Sequence, residues 1–170
     1  MGRKNNAIDI EKDGIDYINM YSKAKTEFGR MLSNFYKFRI ATPEGTFASV
    51  EAYWYYLSLP SSVDRDSIRN LYGYMAKKKG RELRLLAGED NLILDNNFEN
   101  KILTAIRQKI TSWKNNHSSS DEDFERKYPY RGLPIIHYYT FSNGDIYDVT
   151  EDFPWLVNGI SQIVNEVCYK

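Results

Sequence analysis

The stretch from residue 47 to residue 57 constrains the fold of this chain more than any other. Ser49 is a residue type that caps helix N-termini and Pro60 cannot continue a helix, so the sequence predicts a helix over about residues 50–59. Four consecutive aromatic residues within it surround the helix with apolar groups. Glu51 falls in the first turn, where unpaired backbone N–H groups and the helix dipole favour an anion. The pattern fits either a favourable charge beside an ordinary core helix or a carboxylate held among aromatic rings.

The rest of the chain predicts short strands and helices in mixed order, from alternation, hairpin turn residues and helical spacing of apolar residues. Strands are predicted over about residues 17–21, 38–40, 46–47, 135–141 and 146–149, and further helices over about residues 64–79, 98–113 and 155–167. This order indicates an α+β fold, with a small antiparallel sheet surrounded by several helices.

Domain organisation follows from length and local composition. Residues 1–16 are polar and charged, so we expect a flexible N-terminal arm, and residues 17–170 are expected to form a single domain. The segment 115–125 is rich in Ser and Asp and poor in apolar residues, so a mobile loop is predicted there.

Composition limits the classes of function. The chain has 23 basic and 23 acidic residues, which disfavours a broad surface for nucleic acid. Its single cysteine cannot form a disulfide framework, which is typical of a reducing compartment. The sequence shows neither a signal-peptide pattern nor an apolar stretch of membrane-spanning length, so a cytoplasmic protein without a membrane partner is expected.

A basic run closes the helix predicted over residues 64–79. The residues Lys77–Lys79 followed by Gly80 are ordinary chemistry for the C-terminal end of a helix. A narrower interpretation is that Lys79 and Arg81 bind a phosphate or pyrophosphate, since the Arg guanidinium offers bidentate geometry. A third possibility is nucleic-acid binding through Lys77–Lys79, Arg81 and Arg84, although the zero net charge weighs against it.

Several catalytic classes find no support in the sequence. The chain has no Walker loop, no GxGxxG and no GxSxG, and its two histidines are too isolated to predict a metal site. Carboxylate chemistry remains, with Glu51 as the candidate and Asp148, Glu151 and Asp152 as possible partners. Each of these three, taken singly, is better explained as a solvated turn or cap charge.

Three motifs carry a resemblance to a known family. They are Phe-Gly-Arg-Met-Leu-Ser-Asn-Phe-Tyr at residues 28–36, Gly-Thr-Phe-Ala-Ser-Val-Glu-Ala-Tyr at 45–53, and Ala-Lys-Lys-Lys-Gly-Arg at 76–81. In order and spacing, across roughly residues 18–84, the chain resembles the NADAR family, also called YbiA-like. The resemblance implies a YbiA-like α+β arrangement. A Trp-Gly-x-Gly-like stretch of that family is absent, and residues 152–159 stand roughly in its place.

The resemblance also implies a function, namely hydrolysis of the bond between a ribose and a base or amine nitrogen. The implied substrates are ADP-ribosyl or ribosyl-phosphate compounds, for example ADP-ribose attached to guanine in nucleic acid, and neither a cofactor nor a metal is expected. Glu51 matches the motif glutamate and is the predicted catalytic residue. The predicted substrate-binding residues are Ser33, Asn34, Phe35, Tyr53, Lys79, Arg81, Asp152 and Trp155. The alternative is a catalytically inactive relative that sequesters a nucleotide or inhibits a protein partner.

Overall fold

The structure is a computed structural model and describes residues 2–170. Its seven strands are β1 (Arg3–Lys4), β2 (Ile18–Asn19), β3 (Ile40–Thr42), β4 (Gly45–Phe47), β5 (Ile135–Ile136), β6 (Tyr138–Thr140) and β7 (Ile146–Asp148), counted over residues 2–170. Six α-helices, counted over the same residues, are α1 (Glu27–Leu32), α2 (Val50–Ser58), α3 (Gly73–Ala87), α4 (Phe98–His117), α5 (Asp121–Lys127) and α6 (Pro154–Val167). The α+β class predicted from the sequence is confirmed.

The chain divides into two compact units. The central unit is Asn34–Lys109, and the terminal unit combines residues 2–33 with residues 110–170. The single domain expected over residues 17–170 stays a prediction.

The terminal unit holds the three-stranded antiparallel sheet, in the order β1-β7-β6. The hairpin of β6 and β7 pairs Tyr138 with Asp148, as the turn residues between them predicted. This sheet confirms the small antiparallel sheet that the sequence predicted, while β2 and β5 form a separate parallel pair. The strand predicted over residues 135–141 is divided at His137, whose backbone N–H donates to the Thr150 hydroxyl at 3.0 Å instead of to a neighbouring strand.

An aromatic cluster forms much of the core of the terminal unit. Phe28 on α1 is buried, and five rings lie within about 6.4 Å of its centroid. These rings belong to Trp113, Phe124, Tyr128, Tyr130 and Tyr169.

The N-terminal segment, expected to be a flexible arm, contains ordered secondary structure. Strand β1 pairs with β7, with Arg3 opposite Asp148. The Asn5 backbone N–H donates to the Ile146 carbonyl at 2.8 Å, and Asp9 caps a short 3-10 turn. These backbone bonds attach the segment to the sheet of the terminal unit.

The mobile loop predicted over residues 115–125 is wrong, because α5 occupies half of it. Ser120 caps this helix by accepting from the Asp123 backbone N–H at 3.0 Å. Phe124 is fully buried in the aromatic cluster. A single apolar residue in a polar stretch was too weak a signal, although its contacts hold the segment in place.

The central unit contains the β3–β4 hairpin, and helices α2 and α3 follow it. Helix α2 is confirmed nearly as predicted, with Ser49 accepting from the Ala52 backbone N–H at 3.1 Å. The helix predicted over residues 64–79 is wrong in both bounds, since a 3-10 turn covers Arg65–Ile68 and α3 runs from Gly73 to Ala87.

The part of the chain that the structure describes contains no helix that combines the length and the apolar character needed to cross a bilayer.

Candidate functional site

Hydrogen bonds to the backbone that precedes α3 hold the N-termini of α2 and α3 together. The Ala48 N–H donates to the Arg69 carbonyl at 2.8 Å, and the Ser49 hydroxyl donates to the Leu71 carbonyl at 2.9 Å. Both carbonyls therefore accept tertiary hydrogen bonds and do not accept the bonds that would continue a helix. Gly73 then begins α3 with a φ of 58°, a backbone conformation that residues with a side chain rarely adopt. These contacts explain the break at residues 69–72 and place the two helix starts side by side.

The turn formed by Asn34 and Phe35 bridges the two helix starts. The Asn34 carbonyl accepts from the Glu51 backbone N–H at 3.0 Å, and the Phe35 carbonyl accepts from the Gly73 N–H at 3.0 Å. The Lys77 ammonium lies 5.9 Å from the centroid of the Phe35 ring. The structure thus brings Asn34 and Phe35, two of the predicted binding residues, beside Glu51.

Helices α2 and α3 run side by side in the same direction. Near their starts the charge of Lys77 acts on Glu51, and one turn further on Gly80 packs against Tyr55. Near the end of α2 the Arg84 guanidinium donates to the Ser58 hydroxyl at 3.4 Å. This register places successive turns of α3 next to successive turns of α2.

Gly80 allows the two helices to approach closely. A Cβ atom at this position would lie 2.2 to 2.5 Å from three carbons of the Tyr55 ring. We expect Gly80→Ala to lower the free energy of unfolding by about 2 kcal/mol, because the clash outweighs the roughly 1 kcal/mol that Ala gains over Gly in a helix. Urea denaturation of both proteins measures this difference.

Tyr55→Ala provides the control for that prediction. With the ring removed, adding Gly80→Ala should no longer destabilise the protein, because the two substitutions are coupled through one contact. An equal loss of stability in both backgrounds would contradict the contact between Gly80 and Tyr55.

One face of α3 presents three cationic side chains toward Glu51. Lys77, Arg81 and Arg84 recur at the spacing of successive helical turns. All three lower the pKa of the Glu51 carboxyl by their charge. Within residues 2–170, however, no basic nitrogen forms an ion pair with this carboxyl at 4.0 Å or less.

Burial determines the protonation state of Glu51. It raises the pKa of the carboxyl from its ordinary value of 4.5 to about 7, against the opposing charges of Lys77, Arg84 and Arg81. The N-terminal position on α2 also favours the charged form, so the loss of hydration outweighs two favourable influences. A carboxyl with this pKa is available both as an acid and as a base near neutral pH.

Tyr55 completes this face of α2, one turn after Glu51. Its ring is buried beneath the Arg84 guanidinium, whose central carbon lies 4.6 Å from the ring centroid. Burial, followed by the Glu51 charge, raises the pKa of the Tyr55 hydroxyl, so the phenol is protonated at neutral pH. An O–H donor therefore lies within electrostatic range of the carboxyl.

Two buried polar atoms of this region lack hydrogen-bond partners among residues 2–170: the Asn34 Oδ1 and the Arg84 Nε. Buried polar atoms are normally paired in folded proteins. One of these atoms accepts and the other donates. Asn34 accepts from the start of α2 through its carbonyl, and Arg84 lies on α3. The arrangement suits a polar ligand that carries both acceptors and donors.

Two other predicted residues of the central unit face elsewhere. Tyr53 is buried against Phe47, with ring centroids 4.9 Å apart, and its hydroxyl donates to Glu44 Oε1 at 2.5 Å. Lys79 lies on α3 but is not among the cations that affect the pKa of Glu51. Their role in ligand binding stays a prediction.

The remaining predicted residues belong to the terminal unit. Ser33 is buried and follows α1, and its N–H donates to the Arg30 carbonyl at 3.2 Å. Trp155 lies in the first turn of α6. Asp152 precedes α6, close enough to His137 to raise the pKa of that imidazole, although burial lowers it overall to about 4. Ser33, Trp155 and Asp152 also stay predictions as ligand contacts.

Tyr55 was not predicted from the sequence as part of this region, and Lys77 and Arg84 were assigned only to possible nucleic-acid binding. Tyr55 follows Glu51 by four residues, so a helical projection of α2 would have placed both on one face. Lys77 and Arg84 share a face with Arg81 only if the helix continues past Gly80. The apparent stop signal at Gly80 concealed this spacing.

Comparison with known proteins gives a structural likeness. No family model matches the sequence, and no curated protein matches it. Among solved structures, the chain is similar to the NMR structure of the E. coli protein YbiA, with a TM-score of 0.49 and 16% sequence identity. The match covers 96% of this chain and 97% of that chain. YbiA gives its name to the family that the sequence motifs resemble.

Proposed function

We propose that this protein is an N-glycosyl hydrolase that cleaves the bond between ribose and a base or amine nitrogen in ADP-ribosyl or ribosyl-phosphate substrates. The observation that carries the proposal is the Glu51 carboxyl, whose pKa burial raises to about 7 beside three cationic side chains. The NADAR-like order of the three sequence motifs supports the same class of reaction.

The reaction needs a carboxyl of this kind. Breaking a ribose C1–N bond builds positive charge on the sugar ring, and the departing nitrogen needs a proton when it is a poor leaving group. A protonated Glu51 would supply that proton, and the resulting carboxylate would stabilise the cationic sugar or activate the attacking water. One side chain could thus act as acid first and as base afterwards.

The cationic face of α3 would bind the phosphate end of the substrate. This helix carries five basic residues and one acidic residue in a chain with no net charge. Arg81 is exposed, while Lys77 and Arg84 are partly buried. Guanidinium groups bind phosphate in bidentate fashion, and binding remote from the reacting bond positions that bond.

Substrate binding would also adjust Glu51. Lys77, Arg84 and Arg81 lower the pKa of the carboxyl in the free protein. A bound phosphate would neutralise part of that positive charge, so the pKa of Glu51 would rise further and the acid form would dominate at neutral pH. The same contacts that hold the substrate would therefore prepare the proton donor.

Direct incubation tests the proposal. The protein is mixed with guanine-containing nucleic acid that carries ADP-ribose, and separately with ribosylamine phosphates. We expect free ADP-ribose or ribose phosphate to accumulate with time, measured by liquid chromatography with mass spectrometry. If neither product is released from any of these substrates, the proposed hydrolysis is refuted.

A thermal-shift measurement with ADP-ribose separates hydrolysis from binding alone. A ligand that binds the folded state raises the melting temperature with its concentration. Stabilisation by ADP-ribose without turnover of any substrate would favour the alternative of a nucleotide-sequestering protein.

A further inference from the structure

The outward face of α3 exposes four large apolar side chains. The exposed fractions are 64% for Tyr74, 58% for Met75, 79% for Leu85 and 76% for Leu86. Scattered exposed apolar residues are common on proteins, but two exposed apolar pairs on one helix offer a surface that can bind a partner.

These four residues share one face of the helix with two opposite charges. At about 100° per residue, Tyr74 and Met75 lie toward the start of the face, Leu85 and Leu86 toward its end, and the exposed Lys78 and Glu82 between them. The buried residues Ala76, Gly80, Leu83 and Ala87 project from the opposite side. We call the six outward residues, Tyr74, Met75, Lys78, Glu82, Leu85 and Leu86, the α3 stripe.

The α3 stripe is complementary to itself. In an antiparallel pair of α3 helices related by a two-fold axis near residue 80, the Tyr74 and Met75 of one copy face the Leu85 and Leu86 of the other. Lys78 of one copy then lies opposite Glu82 of the other, and the symmetry forms every contact twice. A self-complementary patch of this kind is what an isologous two-fold interface requires.

We propose that the protein forms a homodimer through the α3 stripe, with α3 packed antiparallel against α3 of a second copy. Charge complementarity favours a second copy over an unrelated partner, because the stripe supplies both the positive and the negative member of each central ion pair. The connector after α3 adds Ile93 and Leu94, which are 60% and 69% exposed, to the apolar surface of the same unit. A contact built mainly on one helix falls toward the small end of stable interfaces, so we expect a dissociation constant in roughly the micromolar range.

This interface leaves the candidate site uncovered. Lys77 and Arg84 point from α3 toward α2, and Arg81 lies at the margin between that face and the α3 stripe. Dimerisation through the stripe would therefore leave the Glu51 region of each copy open to its ligand. The inference is independent of the proposed reaction and would stand if no hydrolysis were found.

Charge reversal tests the dimer and its register. Sedimentation velocity over a range of concentrations should show the wild type passing from monomer to dimer. Lys78→Glu places two carboxylates opposite each other and Glu82→Lys two ammonium groups, so each variant alone should dimerise at least about tenfold more weakly. An equimolar mixture of the two variants restores opposite charges in a heterodimer, and its dimer fraction should return to the wild-type level.

Lys23→Glu is the matched control, because it makes the same charge change at an exposed position outside α3. It should dimerise like the wild type. A wild type that stays monomeric at every concentration, single variants that dimerise as well as the wild type, or a mixture that does not recover would each overturn the proposal.

Discussion

Glu51→Gln should reduce the turnover of ADP-ribosyl or ribosyl-phosphate N-glycosides by about 10²–10⁴-fold, the usual contribution of a positioned acid or base. Gln has nearly the shape of Glu, so the cationic face of α3 keeps its geometry and substrate binding is retained. What is lost is the titratable proton and the negative charge that can face a cationic sugar. Initial rates of product release at saturating substrate measure the effect.

The matched control is Glu99→Gln, because Glu99 is also an acidic residue in the first turn of a helix but is exposed. We expect it to retain wild-type activity. A second check is the pH profile, since kcat/KM should fall above about pH 7 when the acid form of Glu51 is required, and the residual activity of Glu51→Gln should lack that limb. Full activity in Glu51→Gln would remove Glu51 from the mechanism.

Helix α2 could be predicted from the sequence because its determinants are local. Ser49 caps it and Pro60 follows its end, and the helix spans Val50–Ser58. The position of Glu51 in the first turn followed directly. The β3–β4 hairpin was equally predictable, because Gly45 has a φ of 115° that its turn requires.

Helix α3 could not be predicted because its determinants are distant in sequence. Lysines followed by Gly80 have the pattern of a helix end, yet Gly80 is buried in the helix interior. The reason is the Tyr55 ring, which leaves no room for a Cβ atom. The cationic face beside Glu51 depends on this extension, so a local misreading also concealed part of the candidate site.

Distant contacts also determine where two aromatic residues pack. Tyr53 was predicted to bind substrate because it matches the aromatic residue that follows the motif glutamate in the NADAR resemblance. A separation of two residues rotates it by about 200° around the helix, toward Phe47 and Glu44. Phe124 has no apolar neighbours in sequence, and its burial against Phe28 appears only in the folded chain.

Glu51→Gln should also be more stable than the wild type, and this difference in unfolding free energy should be about 2–3 kcal/mol larger at pH 8 than at pH 5. Folding raises the pKa of this carboxyl from 4.5 to about 7, so between these pH values the unfolded chain has released the proton while the folded chain still holds it. The unfolded state then binds fewer protons, and the free energy of unfolding of the wild type falls as the pH rises through this range. Gln does not titrate, so position 51 of the variant causes no such fall in the free energy of unfolding.

The measurement is the difference in unfolding free energy between Glu51→Gln and the wild type, from urea denaturation at several pH values. Every other titrating group is common to both proteins, so its contribution cancels. The difference should be small below pH 4.5, grow up to about pH 7 and stay constant above it. Glu99→Gln serves as the control for the substitution itself, because it replaces an exposed carboxyl in the first turn of another helix. A flat difference for Glu51→Gln would mean that the carboxyl is charged in the folded protein at neutral pH. If Glu51→Gln is more stable than the wild type but turns over less substrate, the Glu51 carboxyl destabilises the fold and serves the reaction. Such a trade between stability and activity is expected of a catalytic group.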